Sequence, residues 1–445
     1  MRLWMTRRDI TPAFPVMLAG YAARKSLSEG VHDPLYMTAV YIEADIPLLI
    51  LTFDLLYGDE SFADAVRDAV KAYVPAENVL LNYSHTHSSV SMTGPDTRLR
   101  TIRAPFTHVN GTPLTSDFTP DVEHCMHICG LALDAVRECT ERAVCGYIEY
   151  ARGMSRFGVS RRRPNSRGRV DFAPYDEDTA RDLDLDVFRF HRADGSPIGM
   201  VWSYACHATV MGHTNLLASA DWVGAVRRAY EKKHGGITAF LQGCAGDINP
   251  RPAANFDAVN LGALGDGFTG CDFPTLERAG ADFLRDFDTA VPSRRLTDTL
   301  RIRTRTITLG ALEHPAEWWQ AIADDPDEPA YRRAGARITL ARYADGTIRT
   351  ALPYRMAALN LGGVKIVFMP CEVVTDIGKR IKARVLGTVT CAYTSSVCCY
   401  IPTREAAEAG GYEAQSFFAA NITGPLLPDT AERITDCAAD LLTSL

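Results

Sequence analysis

The chain has 445 residues, 47% of them hydrophobic and 23% charged, and a formal net charge of −7. That length and apolar content suffice for a sizeable buried core, and the acidic balance argues against a surface built for nucleic acid. The opening residues, Met1-Arg2-Leu3-Trp4-Met5-Thr6-Arg7-Arg8-Asp9, reach charge too early for a secretory signal, and no uncharged apolar run is long enough to span a bilayer, so a cytoplasmic protein without a membrane span is expected.

In chain order, apolar runs predict strands at 40–42 and 48–53, an amphipathic helix at 62–73 and a strand at Val79–Tyr83. A polar, turn-rich stretch at 92–120, with Gly94-Pro95 and Asn110-Gly111, reads as a long surface loop, followed by a helix at Val122–Arg142. Residues 160–169 read as irregular and basic, with Arg161-Arg162-Arg163 before Pro164. Strands at 200–205 and 239–241 alternate with helices at 222–233 and 274–287. An acidic, proline-containing segment at 324–334 breaks the pattern before strand-like text returns, with a strand at 364–369 and a helix at 373–385. The alternation predicts an α/β fold, a mixed β-sheet core with helices packed around it. No repeat, low-complexity tract or linker divides the chain, so one catalytic unit over 1–445 is expected. The twelve cysteines are too sparse for a disulfide scaffold and include no Cys-x-x-Cys pair, as expected of buried thiols in a reducing compartment.

Chemistry-bearing residues gather where apolar runs end. Ser84-His85-Thr86-His87-Ser88 follows the Val79–Tyr83 run, and on a strand two histidines two residues apart share one face. Such a pair holds a metal or relays a proton. His207 ends the run that begins at Met200, and Glu372 ends the run at 364–369. Ligands of open α/β sheets collect at carboxyl ends of strands, and two histidines with one glutamate match a donor set of catalytic zinc that leaves a position open for water. Taken singly, each has a plain structural reading: a hydrogen-bonded histidine or a helix-capping glutamate. The glycine-rich turn at 242–251, Gln-Gly-Cys-Ala-Gly-Asp-Ile-Asn-Pro-Arg, suits close backbone approach, or is an ordinary tight turn.

In order along the chain come Arg8-Asp9-Ile10-Thr11-Pro12, Gly20-Tyr21, Ser84-His85-Thr86-His87-Ser88, Cys206-His207, Ser219-Ala220-Asp221, Gly246-Asp247-Ile248-Asn249-Pro250, Pro370-Cys371-Glu372 and Tyr400-Ile401-Pro402-Thr403. This ordered set resembles the neutral/alkaline non-lysosomal ceramidase family over nearly the whole chain. The resemblance implies a zinc site at strand ends held by His85, His207, Glu372 and Tyr400. It implies that His87 is a catalytic group that either supports the metal ligands from behind or faces the substrate, that Arg161 lines the site and that Asp247 lies in a turn flanking the pocket. The implied activity is zinc-dependent hydrolysis of an amide or related acyl bond in a small molecule by an activated water. The chain departs from the family pattern at Ser88-Ser89-Val90-Ser91-Met92, where glycine and proline are usual, and at Asn249, where serine is usual. A trailing immunoglobulin-like domain is not expected after the Tyr400 motif. These departures point away from ceramide and towards a soluble amide or acylated sugar. A carbohydrate or ester deacylase on the same zinc site, or a non-catalytic metal-stabilised binding protein, are the alternatives.

Overall fold

The computed structural model describes residues 1–13, 15–21, 23–24, 26–95, 108–109, 112–113, 122–258, 267–420 and 422–445. The strand Arg2–Asp9 shows how its sequence sets its place. Leu3 and Met5 point into the core on one face. On the other face Trp4, Thr6 and Arg8 reach Glu138 of the helix Val122–Arg142, with Thr6 Oγ1 donating at 2.9 Å and Arg8 Nη2 at 2.8 Å. This strand lies inside a nine-stranded sheet ordered Ile237–Gln242, Pro197–Tyr204, Asp184–Arg192, Val144–Met154, Arg2–Asp9, Tyr36–Glu43, Pro47–Phe53 and Val79–Tyr83, with Arg294–Arg295 added beside Val144–Met154. The two outermost pairs are parallel and the inner ones antiparallel. Helices Glu60–Val70 and Asp221–His234 make the crossovers that parallel pairing requires. Parallel strands covered on both faces read as mainly apolar text, and all five residues of Val79–Tyr83 are buried.

A second sheet, ordered Leu300–Gly310, Ala351–Leu361, Val364–Phe368 and Val389–Cys391, stacks on the first. Leu3, Ile50 and Leu80 of one sheet share a buried cluster with Leu359, Ile366 and Phe368 of the other. Glu60–Val70 and Val122–Arg142 bury their apolar sides on the outer face of the large sheet. Asp221–His234 and Phe273–Phe287 pack at its other end around Trp202, whose ring lies 4.4 Å from Phe240 and 5.4 Å from Phe283. The result is the expected mixed-sheet core wrapped by helices. Its edges are drawn together: the Gln242 N–H donates to Asn82 Oδ1 at 2.8 Å, and Asn82 Nδ2 donates to the Ala392 carbonyl at 2.7 Å. The carboxyl ends of Val79–Tyr83, Pro197–Tyr204, Ile237–Gln242 and Val364–Phe368 therefore open onto one place.

Three expectations are corrected. Residues 160–164 are not irregular, because Gly158–Pro164 pairs with Val170–Tyr175 and Ile248–Pro250 in a three-stranded sheet, while 165–169 form the turn between the first two strands. The segment 324–334 is more than a break in the pattern, since most of it is helical, and strands return after it at Ala351–Leu361 and Val364–Phe368. It joins the helices Ala316–Asp324 and Ala330–Ala344, with Pro329 preceding the second. Of the expected surface loop at 92–120, residues 96–107, 110–111 and 114–120 lie outside the described residues. Met92, Thr93 and Gly94 are buried rather than on the surface, and His108–Val109 pairs with Thr112–Pro113. No helix among the described residues is long and apolar enough to cross a membrane.

Candidate metal centre

The two histidines of the 84–88 motif do not meet by strand alternation, since the strand stops at Tyr83 and His85 takes the left-handed backbone region with φ of 61°. Backbone bonds hold the turn: the His85 N–H donates to the Leu55 carbonyl at 3.1 Å and the His87 N–H to the Ala208 carbonyl at 3.2 Å. His207 is fixed from the other side, its N–H donating to the Ile248 carbonyl at 2.9 Å and its carbonyl accepting from Trp222 Nε1 at 2.9 Å. Asp221, fully buried with φ of 54°, ties that loop down by accepting the N–H groups of Val210, Met211 and Trp222 at 2.8–2.9 Å. Cys371 before Glu372, and Tyr393, are also left-handed. Strained backbone of this kind persists only where the surroundings over-determine it.

One ring nitrogen from each of His85, His87 and His207 lies within 4.8 Å of the other two, and all three side chains are buried. His85 Nδ1 faces the Leu56 carbonyl at 2.8 Å, and His207 Nδ1 faces those of Ala245 at 2.7 Å and Ile248 at 3.1 Å. Carbonyls only accept, so the hydrogens sit on Nδ1 and both Nε2 lone pairs are left free. Those two Nε2 atoms converge on one atom, Glu372 Oε2, at 3.1 and 3.2 Å. Burial, with Arg161 adding to it, pushes the His207 imidazole down to about 4. Burial pushes His87 well below its ordinary value, helped by the other two imidazoles.

Glu372 and Tyr400 are register partners in a short parallel pair, Glu372–Val373 with Tyr400–Ile401, which sets the phenol beside the carboxylate. Burial and Glu372 push the Tyr400 hydroxyl well above its ordinary value, and Arg161 opposes them. Of the three consecutive arginines it is Arg161 that faces this place. Its guanidinium lies 5.3 Å from the Tyr400 ring and donates to Glu413 Oε1 at 2.7 Å, Gly246 O at 2.7 Å and Asn249 Oδ1 at 3.2 Å. Asn249, where the family pattern has serine, thus serves Arg161. The Asp247 carboxylate bonds elsewhere, accepting the Thr375 N–H at 2.8 Å at the start of the helix Thr375–Arg384. Sequence reasoning missed Tyr393, whose hydroxyl donates to Glu372 Oε2 at 3.3 Å while its ring lies 4.5 Å from His85. It also gave no role to Gly20-Tyr21. The Tyr21 ring meets His87 edge-on at 4.8 Å, and a Cβ on Gly20 would sit 2.5 Å from His87 Cγ and Nδ1.

Residues 2–262 match the family model for the N-terminal region of neutral/alkaline non-lysosomal ceramidase. The chain belongs to this family. Among solved structures, neutral ceramidase from Pseudomonas aeruginosa is similar at 20% identity, with a TM-score of 0.70 over 100% of this chain and 74% of that one. A ceramidase complexed with C2 is similar at 19% identity, with a TM-score of 0.71 over 100% of this chain and 75% of that one. At such identities the likeness is one of fold. No curated protein matches the chain. In this ceramidase-family member His85, His87, Arg161, His207 and Asp247 lie within the matched residues, while Glu372 and Tyr400 lie beyond them and arrive through the second sheet.

The donor set fits a cation. Two imidazole lone pairs and a carboxylate oxygen, all acceptors, point at one another with no hydrogen between them, and His85 Nε2 and His207 Nε2 are buried without a hydrogen-bond partner. Facing acceptors repel unless a positive charge lies among them. A tetrahedral ion with bonds of about 2.0–2.1 Å keeps its ligand atoms roughly 3.3 Å apart, close to the separations seen here.

Proposed function

We propose that this protein is a zinc-dependent hydrolase that cleaves an amide or related acyl bond in a small soluble molecule. The observation that carries the reading is the convergence of the His85 and His207 Nε2 lone pairs on Glu372 Oε2 in a ceramidase-family fold. His85, His207, Glu372 and Tyr400 are the proposed ligands, and nitrogen with hard oxygen donors suits zinc. Zinc bound there supplies Lewis acidity and a water acidic enough to attack an acyl carbon near neutral pH.

The remaining residues position and polarise. His87 is neutral at working pH because burial depresses its pKa, and both ring nitrogens lack a hydrogen-bond partner. A neutral imidazole is a hydrogen-bond donor, so His87 is the proposed partner of the carbonyl oxygen as negative charge grows on it. Arg161, locked by Glu413, Asn249 and Gly246, steadies Tyr400 and lowers the cost of its phenolate form. Asp247 holds the helix that follows Glu372, so its proposed part is positional. The unit is proposed to act as a single domain in the cytoplasm, a reading supported by twelve free thiols.

The test is metal analysis joined to an assay. Purified protein should carry about one zinc per chain and hydrolyse short N-acyl amines, and His207→Ala should lose both zinc and turnover while keeping its circular dichroism. Bound zinc without turnover on a panel of acyl amides and esters would favour a non-catalytic binding protein, and loss of zinc in His87→Ala would make His87 a ligand.

A further inference from the structure

Five arginines are buried among the described residues: Arg24, Arg67, Arg161, Arg181 and Arg227. Four of them have a carboxylate within salt-bridge distance, Arg67 with Asp64 at 3.1 Å, Arg161 with Glu413 at 2.7 Å, Arg181 with Asp176 at 2.6 Å and Arg227 with Asp54 at 2.8 Å. Arg24 stands apart. It is 2% exposed, and among the described residues its side chain makes only two hydrogen bonds, both from Nη1, to the Leu18 carbonyl at 2.9 Å and the Ala19 carbonyl at 3.1 Å. Nε and Nη2 are buried with no partner. A buried guanidinium without a countercharge is costly, and burial alone pushes Arg24 down to about 10.

The position of that unmatched charge gives it meaning. The guanidinium lies 5.2 Å from the centre of the Tyr21 ring, and the Tyr21 ring in turn lies 4.8 Å from His87. The loop is anchored beside the histidine motif by the Ala19 N–H, which donates to the Ser89 carbonyl at 2.7 Å. Arg24 is near enough for its charge to help depress the His87 imidazole. Three hydrogens are unused, one on Nε and two on Nη2, and the Nε hydrogen and one of the Nη2 pair lie along one edge of the guanidinium and point the same way. That edge grips a carboxylate through two parallel hydrogen bonds.

We infer that Arg24 is a specificity residue that receives a carboxylate carried by the substrate, so that the preferred substrate is an N-acylated amino acid or a similar anionic amide rather than a neutral lipid amide. The inference rests on the hydrolase reading above and deepens it. Recognition here is separable from chemistry. The carboxylate is held at the Arg24 edge while the scissile carbonyl lies by His87, with Tyr21 between the two.

The test compares N-butanoylglycine with its C-terminal amide, which has nearly the same shape and no charge. Calorimetric binding and steady-state hydrolysis are measured on the zinc-loaded protein. Wild-type protein should favour the charged compound by about 30- to 100-fold in Kd or kcat/KM, the range expected of a charge-assisted pair. Arg24→Met should bring the ratio of the two compounds near one, and Arg24→Lys should restore part of it. Equal handling of both compounds by the wild type overturns the inference, whatever happens to the variants, and so does an Arg24→Met protein that keeps the preference. Preferential binding of the carboxylate without turnover would keep Arg24 as the anion site and refute the hydrolase reading instead.

Discussion

At residue 20 a single methyl group decides whether His87 keeps its place. Gly20 has φ of 98°, and an added Cβ would lie 2.5 Å from His87 Cγ and Nδ1. Gly20→Ala should therefore displace the imidazole and lower kcat by about 100-fold, the usual cost of misplacing a catalytic group by an ångström. Zinc content should not change, and metal analysis beside steady-state kinetics checks both. Asp221 gives a pH prediction. Burial raises its carboxyl to about 6 against 3.8 for the free group, despite three backbone donors. The folded protein then binds more protons than the unfolded chain in that window. This contribution is fully present below pH 3.8 and is lost as pH rises through about 6. Thermal unfolding across that range should show the decline, and Asp221→Asn should flatten it while lowering stability at pH 7 by about 1–3 kcal/mol through a lost acceptor bond. His85, His207 and Glu372 could be found in the sequence because each follows an apolar run. Arg24 and Tyr393 carried no such signal, since their meaning arises only when distant loops meet.

At the scale of elements, the reading succeeded where burial on both faces writes a mainly apolar run, as at Val79–Tyr83, where Asn82 is the one strongly polar residue. It failed at Leu300–Gly310, whose alternating arginines and threonines face outwards along much of its length. It also failed at Gly158–Pro164, where a run of arginines looked like a solvated loop. There the pleat sends Arg161 to the site, while Arg162 donates to the Ala406 and Gly410 carbonyls at 2.8 Å. Both arginines end on Glu413, which is 2% exposed, and so the strand is joined to the 3-10 helix Glu413–Ala419. Removing that carboxylate leaves two cations without their shared partner. Glu413→Ala should cost about 3–5 kcal/mol of stability, read as a lower midpoint in chemical denaturation. Replacing Arg161 and Glu413 together by leucines should cost less than the single change, because only Arg162 is then left without the carboxylate.

For the whole molecule, the α/β class was legible from alternating strand and helix patterns, whereas the antiparallel centre of the large sheet was not. Arg2–Asp9 sits between Tyr36–Glu43 and Val144–Met154, though three arginines make its text look like a polar terminus. Deleting residues 1–9 should remove this interior strand, expose the faces it pairs with, and abolish the cooperative thermal transition seen by circular dichroism.

The meeting of sheet edges also has a consequence in time. The proposed ligands stand at positions 85, 207, 372 and 400, so a nascent chain carries its first histidine long before its phenol. At about 5–20 residues per second, roughly 15–60 s of synthesis separate them. Until residue 372 the growing polypeptide has imidazoles but neither proposed oxygen donor, and an incomplete donor set holds zinc weakly. On the zinc reading proposed above, loading follows synthesis, and a cell short of zinc should accumulate a folded, inactive protein that later supply can switch on without new translation.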